Sequence, residues 1–272
     1  MKAITAIGII FAIVAMLVSA TMEGTAIPAF FVIPAYLIVL AGTAGATMAG
    51  TTMERFKQIP SLYKIAFSPP EMHPGQRVKL LVGFAERARR EGLLALEDEI
   101  DELEDTFAKK GLQLVVDGTD PDLVREILEN EIDGMTTRHH QGAAVFEKAA
   151  GYGPTMGVLG TVMSLVHVLE NLSNPAILGP AISGAFIATL YGVGSANVVF
   201  LPTANKLKAL SEEEIELRTM TLEGILSIQA GDNPRVLAEK LEAYVPPAKR
   251  GVEERTTPHS GIVPEEQERQ AA

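Results

Sequence analysis

Apolar positions gather into four runs, roughly 4–21, 31–50, 153–172 and 182–202. Each is close to the ~20 residues a helix needs to cross a bilayer core. The last two lie in the stretch from Gly151 to Pro202, which holds no Lys, Arg or Asp; its single Glu, Glu170, falls where the two runs meet. Four membrane-spanning helices are expected, paired by short connectors around Glu23 to Phe30 and Glu170 to Pro180. In the fourth, Gly184, Ala188, Gly192 and Ala196 recur every fourth residue and form a smooth stripe. In lipid, small residues of this kind let helix backbones approach closely.

Outside the runs the pattern turns amphipathic, and 55–150 reads as helical throughout. Gly75 to Gly92 is one amphipathic segment. Leu93 to Lys110 places Leu96, Ile100, Leu103 and Phe107 at three- and four-residue steps, which predicts a helix. Asp117-Gly118 marks a turn. Thr119 or Asp120 then caps a helix with Pro121 at its first position, a site where a missing N–H costs nothing. That helix is expected to run toward Gly151 and on into the third span. Pro202 is expected to end the fourth. A helix over Lys206 to Ala230, a break at Gly231-Asp232 and a short helix from Pro234 to Tyr244 follow. The fold class is therefore all-α: an integral membrane protein with a helical cytoplasmic domain. Its parts are 1–52 (spans one and two), 53–150 (cytoplasmic helices), 151–203 (spans three and four), 204–247 (C-terminal helices) and a tail over 248–272 expected to be disordered.

Charge sets the orientation. Apart from Lys2, every Lys and Arg lies in 55–150 or 206–272. The positive-inside rule then puts both termini and the large insert in the cytoplasm and the short connectors outside. Lys2, the apolar run and Val18-Ser19-Ala20 also suit a cleavable signal peptide; a lone Lys and a long run favour a retained span. The net charge of −11 argues against nucleic-acid binding, and with no Cys there is neither a disulfide framework nor a thiolate metal site.

No nucleotide-binding, serine-hydrolase or zinc-protease motif occurs, so no catalytic residue, metal site or cofactor is expected. His139 and His140 are adjacent and point apart on a helix, which reads as a solvated face. His167, in the third span, suits either a proton relay or a hydrogen bond to a neighbouring helix. The middles of the spans carry no Asp or Glu. Their polar atoms are hydroxyls, chiefly Thr161, Ser164 and Thr189. Hydroxyls can line an ion path, but a proton-binding carboxylate would have to come from a partner. Thr161 and Thr189 can equally bond back to the carbonyl one turn earlier. Pro154 and Pro202 frame this pair of spans, either as helix punctuation or as hinges.

PAYLIVLAGTAGATMAGTTMERF, ARREGLLALE, GPTMGVLGTVMSLVHVLENLSNP with ATLYGVGSANVVFLP, and GDNP occur in that order. They resemble the MotA/PomA subunit of the flagellar motor stator, a member of the MotA/TolQ/ExbB superfamily, over most of the chain up to about Pro247. The resemblance implies a non-enzymatic subunit of the bacterial inner membrane, forming a homo-pentameric ring in membrane lipid. The ring surrounds a MotB/PomB-type partner that supplies the ion-binding Asp, and it pushes on the rotor protein FliG. It implies hinge or coupling roles for Pro154 and Pro202 and rotor contact for Arg89 and Glu97, with Arg90 as a neighbouring substitute. Thr161 and Thr189 stand where sodium-type members carry threonines, which tilts the transported cation toward Na⁺ over H⁺. A TolQ/ExbB-type energiser of envelope transport is the alternative, although such proteins usually have three spans with the bulk of the insert after the first.

Overall fold

A computed structural model describes residues 4–246. Among them every regular element is helical, in agreement with the all-α expectation. Lys2 and the 248–272 tail lie outside the described residues.

The helix α1 (Ile4–Met22) is an unbroken apolar run, and Gly24 at φ 85° turns the chain after it. The helix α2 (Ile33–Ala49) has Pro34 in its first turn and a π-helical turn over Leu37–Ala41. Two short helices follow, α3 (Met53–Lys57) and α4 (Ile59–Phe67). Next comes α5 (Pro74–Glu91), which starts on a proline and ends at Gly92, φ 89°. A 3-10 turn over Leu93–Leu96 leads into α6 (Glu97–Asp101), and α7 (Thr106–Val116) lies beyond a break.

The continuous helix expected over Leu93 to Lys110 is thus interrupted. The cause is Asp105, whose carboxylate accepts the Phe107 and Ala108 N–H groups at 2.8 and 3.0 Å and starts a new helix there. The apolar spacing is compatible with one helix, but a strong cap overrides it. After Gly118 (φ 74°), the Asp120 side chain accepts from the Asp122 N–H. The helix α8 (Pro121–Glu170) then runs for 50 residues through Pro154, so the expected passage into the third apolar run is present.

The helix α9 (Pro175–Ala230) corrects two expectations. The connector after Glu170 is shorter than predicted, and Pro180 lies inside the helix. Pro202 does not end it either; the chain stays helical through Pro202 to Ala230, with a π-helical turn over Ser195–Phe200 just before. A proline removes one N–H and crowds the carbonyl four residues earlier. Widening the preceding turn relieves that crowding without stopping the helix. Gly231 (φ 73°) breaks the chain as expected, and Asn233 caps α10 (Pro234–Glu242).

By contact, the chain forms two compact units, and α8 and α9 contribute to both. The first comprises the described residues up to Glu71 with Asp133–Ile215. One of its cores gathers Ala66, Ala143, Phe146, Ala204 and Leu207, with Tyr63 edge-on to Phe146 at 4.8 Å. Another gathers Ala35, Val39, Ile187 and Ala188. Many large apolar residues of this unit are exposed, among them Phe11, Val158, Met163 and Phe186. Sustained apolar exposure of this kind marks surfaces that face lipid or another chain. Among the described residues, α1, α8 and α9 are long and apolar enough to cross a membrane, and α2 is a shorter apolar helix.

The second unit comprises Met72–Ile132 and the described chain from Glu216 onward. It has a conventional core, with Leu81, Leu96, Ile100, Phe107, Leu112, Leu128 and Leu241 at 2% exposure or less. Charge pairs surround that core: Arg77 with Asp105, Arg125 with Glu223 at 3.0 Å, and Lys240 with Glu223 at 2.7 Å.

Candidate functional site

In the first unit, α8 and α9 meet through their backbones. A Cβ placed on Gly192 would lie 2.6 Å from the Gly153 carbonyl oxygen, and one on Gly157 would lie 2.9 Å from that of Ala188. One on Gly160 would be 2.8 Å from the Ala188 Cβ. Neither helix can give way like a side chain, so these positions need glycine. Ala188, Gly192 and Ala196 of the stripe read from sequence are therefore one half of an intramolecular contact, with Gly153, Gly157 and Gly160 as the other half. Gly184 faces Val32 instead.

One helical turn from Gly157, this contact brings the two threonines together. The Thr161 and Thr189 hydroxyl oxygens are 2.6 Å apart. The Thr161 oxygen also lies 3.1 Å from the Gly157 carbonyl and 2.9 Å from that of Ala185. A threonine has a single O–H. With two carbonyls to choose from, Thr161 donates to one of them, and Thr189 donates to Thr161. The back-bonding reading thus has its geometry at Thr161, which lies within reach of the carbonyl one turn earlier and also of Ala185 and Thr189 on the neighbouring helix. The lone pairs of Thr189 are the oxygen capacity left over. Both residues are half-buried, as is Ser164. The pair supplies neutral oxygen and no charge.

Pro154 stands in α8 next to Gly153, and Pro202 stands in α9 with only Leu201 between it and the π-helical turn. His167 makes no bond to a neighbouring helix among the described residues. It meets Asn171 on the following turn, whose amide donates to the His167 carbonyl at 2.9 Å. His139 corrects the solvated-face reading, because its Nδ1 lies 3.2 Å from the buried Ser211 hydroxyl; His140 is exposed. Sequence reasoning also passed over Thr43 and Thr47, each 3% exposed with a hydroxyl that has no hydrogen-bond partner among the described residues. Their four-residue spacing, continued by Thr51, was the available signal.

In the second unit, Arg89 and Arg90 occupy the last turn of α5 and Glu97 opens α6, and all three are exposed. Arg87 bridges the turn at Gly92 by pairing with both Glu91 and Glu99. The Arg90 and Arg87 guanidiniums hold the Glu91 carboxyl below its ordinary range. Arg90 is 2.8 Å from Glu91, whereas Arg89 and Glu97 form no salt bridge among the described residues. The turn therefore presents a fixed backbone carrying an arginine and a glutamate whose charges are not spent on each other.

Residues 99–220 match the model of the MotA/TolQ/ExbB proton channel family. Motility protein A of Bacillus subtilis is 40% identical over 245 residues, which cover 90% of this chain and 91% of that protein. The chain belongs to the motility protein A family. The solved structures agree with this membership. The flagellar MotAB stator complex of Bacillus subtilis matches with a TM-score of 0.83 at 39% identity, over 90% of this chain and 97% of that one. The MotAB structure of C. jejuni matches with a TM-score of 0.85 at 30% identity, over 89% and 95%. This is a membrane channel-subunit family rather than an enzyme family, and the chain is a membrane protein and not an enzyme.

Proposed function

We propose that the chain is the ring-forming subunit of an ion-driven flagellar stator in the bacterial inner membrane. The reading is supported by one observation above all. A glycine-packed helix pair presents a hydroxyl pair, Thr161 and Thr189, in spans that contain no carboxylate of their own. Such a site is half of an ion path. A MotB-type partner supplies the aspartate, and five copies of the chain surround it. Four helices cross the membrane: α1, α2, the apolar half of α8 and the apolar half of α9. Both termini lie in the cytoplasm. Na⁺ is the favoured ion, because hard cations are held by oxygen ligands and the hydroxyls are uncharged. An ion crossing about 150 mV releases roughly 3.5 kcal/mol, several times RT, enough for a directional stroke.

The stroke reaches the rotor protein FliG through Arg89 and Glu97, with Arg90 beside them. Pro154 and Pro202 serve as the flexure points of α8 and α9, since each removes a backbone N–H from its helix and Pro202 also follows a π-helical turn. Deleting the chain from its host and restoring it tests the reading. Swimming is expected to be lost and then recovered, with the MotB-type partner co-purifying. If swimming persists and envelope transport fails instead, the TolQ/ExbB-type role replaces the stator role.

A further inference from the structure

At the end of α2, within the first unit, lies a cavity of about 320 Å³. It is lined by Gly50, Thr51, Thr52, Arg55, Gln141 and Lys148, together with small apolar residues. Two cations and no carboxylate face it. Of the nearby acids, Glu147 pairs with Lys208, and Glu54 is exposed and outside the lining. Its charged and amide side chains bring several hydrogen-bond donors. Arg55 gives one N–H to the Gln141 side-chain oxygen, which leaves its other four and the Gln141 amide N–H groups. Lys148 gives one N–H to the Gly50 carbonyl and keeps two. The Thr51 hydroxyl is shielded from water and has no partner among the described residues. Two acceptors of the lining are already taken, the Gly50 carbonyl by Lys148 and the Gln141 side-chain oxygen by Arg55. The partial charge at the α2 C-terminus, about half an electron, is outweighed by two full cations.

We infer that this cavity is a binding site for a phosphate group, held by the Arg55 fork and the Lys148 ammonium with Gln141 and Thr51 as further donors. Arginine matches the planar spacing of phosphate oxygens, and lysine adds a point charge. Thr51 satisfies its hydroxyl by turning to a phosphate oxygen. The phosphate has two possible sources, a phospholipid headgroup and free inorganic phosphate. The cavity follows directly on the apolar helix α2, where a headgroup would sit if α2 spans the membrane as proposed above; the phosphate chemistry itself does not depend on the stator role.

The test uses the full chain with its partner, purified from native membranes in mild detergent. Native mass spectrometry counts retained phospholipid, and ³¹P line broadening reports binding of added inorganic phosphate. Lys148→Gln, alone and combined with Arg55→Gln, is compared with Lys148→Arg, Thr51→Ser and Thr51→Val. Co-purification of the partner reports that each variant is folded, and the Lys148→Gln single variant leaves the Arg55 to Gln141 bond intact. Loss of retained phospholipid by at least about tenfold in the Gln variants, with retention kept by Lys148→Arg and Thr51→Ser, establishes the headgroup. Unchanged lipid retention with a tenfold weaker inorganic phosphate signal establishes free phosphate. Neither change in a folded Lys148→Gln variant overturns the inference and reduces Lys148 to a cap on α2.

Discussion

Glycine serves both units of this molecule at tight contacts, but against different neighbours. At Gly153, Gly157 and Gly192 the facing atoms are backbone carbonyls and Cα atoms of another helix. At Gly111 and Gly224 they are side-chain atoms, of Ile225 and Leu128 in one case and of Leu81 and Leu241 in the other. A side-chain tip can rotate away, whereas a helix axis must move as a whole. The membrane unit therefore defines the distance between two helices by having nothing in between, and the hydroxyl pair depends on that distance. The second unit is held by volume and by charge, which tolerate small rearrangements.

The largest expected effect lies in the second unit, where volume is decisive. Phe107, 2% exposed and covered by the Arg218 guanidinium at 5.0 Å, fills the core. Phe107→Ala is expected to cost about 3–5 kcal/mol, read as a lower thermal midpoint of the purified complex. The same Gly→Ala change in each unit then tests the contrast directly. Gly192→Ala is expected to separate α8 from α9 at a cost of about 1–3 kcal/mol and to remove motility. Gly224→Ala is expected to cost less than Gly192→Ala, because a helix-propensity gain of about 0.5–1 kcal/mol offsets part of the shift of the Leu81 and Leu241 methyl groups. Equal losses in both variants would dissolve the distinction between backbone and side-chain contact.

Smaller effects concern the charges and caps of the second unit. Asp105→Ala removes the cap of α7 and the partner of Arg77, and is expected to cost about 0.5–2 kcal/mol for the cap alone. Burial raises the Asp105 carboxyl, but the N–H bonds from Ala108 and Phe107 and the Arg77 charge outweigh it and hold the group below its ordinary value. The Lys240 hydrogen bond, with Arg125, holds Glu223 low against its own desolvation. Carboxylates depressed in the folded state contribute stability that is present above their unfolded values, about 4. That stability is lost as pH falls through the lower folded values. The thermal midpoint is therefore expected to hold between pH 7 and 5 and to drop below about pH 4, with a smaller drop in Asp105→Asn.

Much of this was legible from residue order. Pro121, with Thr119 or Asp120 as its cap, announced the start of α8, Gly118 and Gly231 announced turns, and the Gly184 to Ala196 stripe announced a close helix contact. The partner of the stripe was harder to see, since small residues recur throughout Gly151 to Pro202 and only geometry selects Gly153, Gly157 and Gly160. Pro202 misled because its local chemistry favours a break, while the π-helical turn that accommodates it has no sequence signature. The interruption at Asp105 was hidden by apolar spacing that continued across it. Thr161 and Thr189 were visible as hydroxyls, but their 2.6 Å separation follows from helix packing and not from spacing.

The proposed ion path rests on that hydroxyl pair, and swimming speed against external Na⁺ at fixed proton motive force tests it most directly. The cells are ones whose motility depends on this chain and its native partner. Speed is expected to rise with Na⁺ in the wild type, to fall severalfold in Thr161→Ala, and to recover in Thr161→Ser, which restores one hydroxyl donor and acceptor. Speed that ignores Na⁺, stops with an uncoupler and is unchanged in Thr161→Ala would contradict it, and would leave the threonines as packing between two helices.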